Sequence, residues 1–276
     1  MNNSPFPYYD ENIYDKYFDG NPIPMNELSP QAHILTSRGC PFKCIFCVWP
    51  ATMTGNDPDG ENKRTVRQYS ADYIKGFLDK LTTDYKFEAI YFDDDTFNIG
   101  NKHTVEISKV AGRYNIPWFA MCRADTCKKE NWKIMRDNGC KGVKIGIESG
   151  SQYVVDKIVN KHLDLNYTNQ LVDHLRSLNM SVHGTFTYGL PGETKEQMLE
   201  TKEFIKRTNK FLKNPKSNNF KFLIPISIIC IPAFISTFFG ISTLITKFFL
   251  SQKKIITSVI LFSLVFSIIE YVRGIV

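Results

Sequence analysis

Arg38-Gly39-Cys40-Pro41-Phe42-Lys43-Cys44-Ile45-Phe46-Cys47 is the stretch on which the reading of this chain turns. Three thiols fall within eight residues at C-x3-C-x2-C spacing, with Gly39 and Pro41 on either side of the first. Glycine and proline there favour a loop over a continuing helix or strand. Such a loop wraps three sulfurs around one corner of a metal centre. Thiolates select zinc, copper(I) or iron–sulfur clusters. A structural zinc takes four protein ligands, and the stretch offers no nearby fourth Cys or His. A [4Fe–4S] cubane held by three cysteines leaves one iron open to an outside ligand. The alternatives are a zinc knuckle completed from afar and three unrelated buried thiols.

Composition narrows the setting. The formal charge of +6 over 276 residues is spread along the chain and gives no nucleic-acid footprint. Seven cysteines, an odd number with three in one motif, do not make a secreted disulfide framework. They suit a reducing cytoplasm. The opening Met1-Asn-Asn-Ser-Pro-Phe-Pro7 has no apolar core, so no secretory leader is expected.

Hydropathy divides the chain in two. Residues 1–221 read as a polar domain, whereas Phe222 to Thr246 is 25 residues without a charged side chain and Ile255 to Ile269 adds 15 more. The first run is long enough to cross a bilayer at about 20 residues per span. Pro225, Pro232 and Gly240 would kink or break it. The expected organisation is a linker-like segment over 1–32, a core domain over 33–214, and a hydrophobic region over 215–276 that forms a membrane hairpin.

Within the core, apolar β-branched runs alternate with amphipathic ones. Strands are expected at Ala32–Ser37, Glu88–Asp93, Pro117–Cys122, Gly142–Ile147 and Met180–Tyr188. Helices are expected at Tyr69–Leu81, Lys102–Tyr114, Lys128–Asn138, Gln152–Val159 and Tyr167–Leu178, with Gly139 as a helix C′ residue and Ser149 or Ser151 as a cap. Strand–helix repetition implies right-handed crossovers and a parallel sheet. The expected fold is α/β, a partial (β/α)5-6 barrel followed by a hydrophobic helical membrane segment. Asn219–Ile231 is either its sixth strand or already part of the membrane segment.

In parallel barrels the chemistry sits at the C-terminal ends of the strands. Here the cysteine loop follows the first strand, and Tyr91-Phe-Asp-Asp-Asp-Thr-Phe97 ends the second. Met121-Cys-Arg-Ala-Asp125 ends the third, Gly146-Ile-Glu-Ser-Gly150 the fourth and Phe186-Thr-Tyr-Gly-Leu-Pro-Gly-Glu193 the fifth. Any one of these runs alone is an ordinary turn or helix cap. Five in phase converge on one mouth.

Together with Leu35-Thr-Ser-Arg-Gly-Cys-Pro-Phe-Lys-Cys-Ile-Phe-Cys-Val-Trp-Pro50, these runs resemble the radical S-adenosylmethionine (SAM) superfamily, and within it the branch whose members often carry an N-terminal cobalamin-binding domain. The resemblance spans roughly residues 5 to 207. It implies that Cys40, Cys44 and Cys47 ligate a [4Fe–4S] cluster whose open iron is chelated by SAM. It places Phe46 near the SAM adenine and Asp93, Asp94 and Asp95 at the methionyl amino group. Arg123 and Glu148 fall at the SAM carboxylate and ribose, and Gly189 closes the adenine side. The implied chemistry is reductive cleavage of SAM to a 5′-deoxyadenosyl radical that abstracts hydrogen from a substrate. An electron donor such as a flavodoxin or ferredoxin is the implied partner. A cobalamin domain needs well over 100 residues before the cysteines and only 39 are present, so cobalamin binding would fall to a separate chain.

The remaining candidates weigh differently. Cys122, Cys127 and Cys140 lack a compact ligand spacing and read as buried thiols before an auxiliary cluster. His33, His103, His162, His174 and His183 are scattered, with no pair at metal-binding spacing. Trp49 and Tyr188 flank the mouth. The reading is a membrane-tethered enzyme with its catalytic domain in the cytoplasm and a lipid-like substrate; the competing reading is a cluster-binding relative that does not complete catalysis.

Overall fold

The computed structural model describes residues 1–10, 12–13, 30–47 and 65–210, all within one compact unit. Five parallel strands form its sheet: β1 (Gln31–Ile34), β4 (Ala89–Phe92), β5 (Trp118–Cys122), β6 (Cys140–Glu148) and β7 (Ser181–Phe186), side by side in that order. Helices return the chain between them: α1 (Ala71–Asp84), α2 (Asn101–Ala111), α3 (Lys129–Asp137) and α4 (Leu165–Ser177). A fifth helix, α5 (Lys195–Lys210), follows β7.

Local chemistry explains these elements. Ser70 caps α1 by accepting a hydrogen bond from the Tyr73 amide, and Ile74, Phe77, Leu78 and Leu81 recur at helical spacing on its buried face. Asp164 caps α4 by accepting from the amides of Asn166 and Tyr167. Gly139 takes φ +97° just past α3, the left-handed position expected of a C′ glycine. Along β5 and β6, Trp118, Ala120, Cys122, Val143, Ile145 and Ile147 join the core shared with the helices. The alternate residues face inward, where the Lys144 ammonium lies 4.8 Å from the centre of the Tyr91 ring. β4 and β6 are not neighbours in the sheet, so that contact reports its curvature.

The structure departs from expectation at four places. The first strand is shorter than Ala32–Ser37: β1 stops at Ile34, and Ser37–Arg38 leaves the sheet as β2 to pair antiparallel with β3 (Arg67–Gln68). The cause is Asp94, which accepts hydrogen bonds from the Thr36 amide and from the Thr36 and Ser37 hydroxyls, turning the chain over the strand end. Gln152–Val159 is helical, but after an α-helical start at Gln152 and Tyr153 it winds as a π-helical turn at Val154–Ile158. Helix α2 closes through a 3-10 turn at Gly112–Tyr114, ending on Asn115 at φ 53°. Helix α5 was not anticipated, although Thr194 and Gln197 form a reciprocal capping box at its start. The proposed sixth strand and both uncharged runs lie outside the described residues; among those described, no helix is long and apolar enough to cross a membrane.

Candidate active site

The C-terminal ends of β1, β4, β5, β6 and β7 surround one cavity of about 360 Å³. Its lining includes Cys40, Cys44, Cys47, Phe46, Asp93, Asp94, Asp95, Arg123 and Glu148, so nine of the ten residues expected at the site meet there. Gly189 does not line it. That residue lies in the turn after β7, at φ +73°, with its amide donating to Glu193.

The cysteine loop is held from several sides. Gly39 has φ +96°, and a Cβ there would fall 2.4 Å from the Thr65 carbonyl oxygen, so only glycine fits. Its amide donates to Asp95 Oδ2 at 2.6 Å. The Ile45 amide donates to the Val159 carbonyl at 3.0 Å, and the Asn160 side-chain amide donates to the Lys43 carbonyl at 3.1 Å. Cys44 packs against Val154, Val159 and Leu190. The Cys40 sulfur lies 3.7 Å from the Thr96 hydroxyl. All three cysteines are partly exposed.

The acidic run divides its labour. Asp93 is half exposed, with His33 Nδ1 3.8 Å away. Asp95 holds the Gly39 turn. Asp94 is buried, and its Oδ1 accepts the three hydrogen bonds from Thr36 and Ser37 while its Oδ2 has no partner. Burial pushes the Asp94 carboxyl up to about 6, against the lowering effect of those bonds. Behind it, the Thr36 hydroxyl lies 3.1 Å from His103 Nε2, and burial lowers that imidazole to about 4.

Opposite stands a cationic cluster. Arg123 donates to both Asp125 oxygens at 2.5 and 3.0 Å and to the Lys161 carbonyl at 2.5 Å, and its guanidinium lies 3.6 Å from the centre of the Phe42 ring. Lys161 Nζ donates to Glu148 Oε1 at 2.8 Å. Glu148 takes φ +71°, at a register break between β6 and β7. Burial raises the Cys44 thiol, and Lys161 followed by Arg123 pulls it back.

Sequence reasoning missed Lys161. It sits in irregular chain after the π-turn and belongs to no motif, so only folding brings it to Glu148. The buried thiols read correctly: Cys127 is pushed up to about 11 by burial, Cys140 is raised further, and Cys122 alone of the three lines the cavity. Trp49 lies outside the described residues, and Tyr188 packs partly buried against the core.

Among the described residues, no three His, Cys, Asp or Glu side chains converge on a point that one metal ion would occupy. Three cysteines around a single cavity, with Lys161 and Arg123 beside Cys44, are a donor set that suits an iron–sulfur cluster.

The sequence profile of the Radical SAM superfamily matches residues 34–205. An uncharacterized methyltransferase of Pyrococcus horikoshii, PH0819, is 30% identical over 207 residues, covering 74% of this chain and 41% of its own length. The cytidylyl-2-hydroxyethylphosphonate methyltransferase of Streptomyces wedmorensis is 28% identical over 217 residues, covering 74% of this chain and 38% of its own. This chain therefore spans about two fifths of the length of these relatives. Among solved structures, the radical S-adenosylmethionine methyltransferase TsrM of Kitasatospora setae, with tryptophan and a SAM analogue bound, aligns with TM-score 0.55 at 17% identity, over 65% of this chain and 34% of its own. That likeness concerns the fold alone.

Proposed function

This chain belongs to the radical SAM superfamily of enzymes, and from that premise we propose that it cleaves SAM reductively at the cavity above β1–β7 to start radical chemistry on a second substrate. The observation that carries the reading is the meeting of Cys40, Cys44 and Cys47 with Asp94, Lys161 and Glu148 around one cavity. The family works with a [4Fe–4S] cluster and SAM. When bound, the reduced cluster supplies the electron that breaks the sulfonium of SAM into methionine and a 5′-deoxyadenosyl radical.

The chain's own residues set the stage for that step. Cys40, Cys44 and Cys47 hold the cluster, with Lys161 and Arg123 favouring the thiolate of Cys44. The unpartnered Oδ2 of Asp94 receives the ammonium of the methionyl group, a contact that favours the carboxylate against the upward push of burial. Lys161 takes the methionyl carboxylate, exchanging part of its bond to Glu148. Glu148, released, accepts from the ribose hydroxyls. Phe46 covers the adenine. Leu35, Met121 and the ring of Phe42 supply apolar walls that keep water from a reactive carbon centre.

The test is anaerobic reconstitution with iron and sulfide, followed by dithionite and SAM. Formation of 5′-deoxyadenosine supports the proposal; an iron-free protein with stoichiometric zinc overturns it. The methyltransferase names of the relatives are the ground for a second reading, in which methyl transfer would be completed with a cobalamin-binding chain. Methylated product that appears only when such a chain is added would select it. Attachment to a membrane and a lipid-like substrate are proposed on the uncharged run from Phe222 to Thr246 alone.

A further inference from the structure

We infer that Arg123 is a positioning residue for the cysteine loop rather than a ligand of SAM, holding the loop against the barrel rim through the face of Phe42. The inference rests on the proposed function for the identity of what the loop holds, but its geometry is independent of it. A guanidinium has five N–H donors in a fixed plane. Three of those of Arg123 are committed, two to the Asp125 carboxylate and one to the Lys161 carbonyl. One of its two faces is covered by the Phe42 ring, 3.6 Å from centre to guanidinium carbon. The side chain is 5% exposed, so its plane cannot turn without breaking all of these together.

The contacts join three separate pieces of chain. Asp125 follows β5, three residues past its end. Lys161 follows the π-turn and places its ammonium in the cavity. Phe42 lies between the first and second cysteines, so a ring fixed there fixes the backbone that presents both sulfurs. On the other side of the same loop, Val159 and Asn160 bind the Ile45 amide and the Lys43 carbonyl. Residues 159–161 thus hold the loop twice, once directly and once through Arg123. Lys161 places its ammonium at the cavity, whose lining also includes Arg38, while the cation of Arg123 is built into the wall.

Arginine is needed for this role because lysine has neither the planar fork nor the flat face. Three variants of the full chain test it: Arg123→Lys, Phe42→Leu and Phe42→Tyr. Hydrogen exchange of the amides of residues 39–47 is measured first on the metal-free protein. Arg123→Lys and Phe42→Leu should speed exchange there to the same extent, the double variant should add nothing further, and Phe42→Tyr should behave as wild type. After reconstitution, the first two should lose iron to a chelator about tenfold faster, the size of effect usual for groups that orient metal ligands. SAM affinity of the protein that remains loaded should not change. The inference is overturned if exchange in the loop is unaltered, or if Arg123→Lys weakens SAM by more than about tenfold while iron is retained, an outcome that would make Arg123 a SAM ligand. If Arg123→Lys does not fold, the two Phe42 variants decide the matter. Failure of wild type to take up a cluster would count against the proposed function and leave the exchange comparison standing.

Discussion

Lys161 Nζ lies 2.8 Å from Glu148 Oε1, and each side chain is 10% exposed. The two come from chain segments 13 residues apart and form a nearly dry ion pair on the wall of the cavity. Removing one member of a buried pair strands the other charge, which costs about 3–5 kcal/mol, whereas replacing both by neutral groups costs much less. Lys161→Met should therefore lower the unfolding free energy of the metal-free protein by that order. Adding Glu148→Gln should restore most of it. Urea unfolding of the three proteins measures the difference, and equal stability of the single and double variants would contradict it.

Gly146 makes room for that pair. A Cβ on it would fall 2.4 Å from Glu148 Oε1 and 2.7 Å from Lys161 Nζ. Both atoms are ends of flexible side chains, so Gly146→Ala should fold while displacing the pair. SAM binding measured by calorimetry should weaken about tenfold, with the visible spectrum of the cluster unchanged.

Asp94 and His103 make opposing contributions to stability with pH. The folded carboxyl of Asp94, raised from 3.8 to about 6, holds its proton where the unfolded one has lost it, so its contribution falls as pH rises from about 4 to 6. His103, lowered from 6.5 to about 4, stays neutral where the unfolded imidazole is charged, so its contribution rises over about pH 4 to 6.5. Each is worth about 3 kcal/mol over its window, and they largely cancel. Asp94→Asn removes the first and leaves the second. Its stability should climb between pH 4.5 and 6.5 more steeply than that of wild type, and parallel curves would refute the assignment. The same variant should bind SAM more weakly at pH 7.5.

Cys44→Ala should abolish the brown colour of the reconstituted protein, since two thiolates do not hold the cubane. Lys161→Met, in the metal-free protein, should slow alkylation of Cys44 at pH 8. Burial already raises that thiol, and Lys161 is the largest opposing charge.

For the uncharged runs, the expected outcome is recovery of the full chain in the carbonate-resistant membrane pellet. Full-length protein that stays monomeric in buffer without detergent would remove the membrane from the proposal.

The five strand ends were legible in the sequence because each carries its own local signal: a glycine–proline punctuated loop, an acidic run, a polar residue after an apolar strand. That the strands run parallel followed from the alternation of strand and helix periods. What could not be read was how the three aspartates differ. Adjacent in sequence, they split into an exposed carboxylate, a buried one that bends β1 into β2, and one that clasps Gly39. Only the backbone turn after Phe92 decides which is which. Lys161 escaped for the complementary reason: its role comes from tertiary proximity to Glu148 and Cys44, with no spacing that announces it. The π-turn escaped because Val154–Ile158 differs from an α-helical turn by one residue of hydrogen-bond offset and not by composition.

The antiparallel rungs between Ser37–Arg38 and Arg67–Gln68 tie together the two ends of a long excursion that begins with the cysteines. A chain segment whose ends are already fastened can change length cheaply, since doubling a loop adds only about 0.6 kcal/mol of closure entropy. Insertions between Cys47 and Thr65 would leave the sulfurs where Gly39, Asp95 and Val159 set them. The clip therefore uncouples the length of that excursion from the geometry of the cysteine loop.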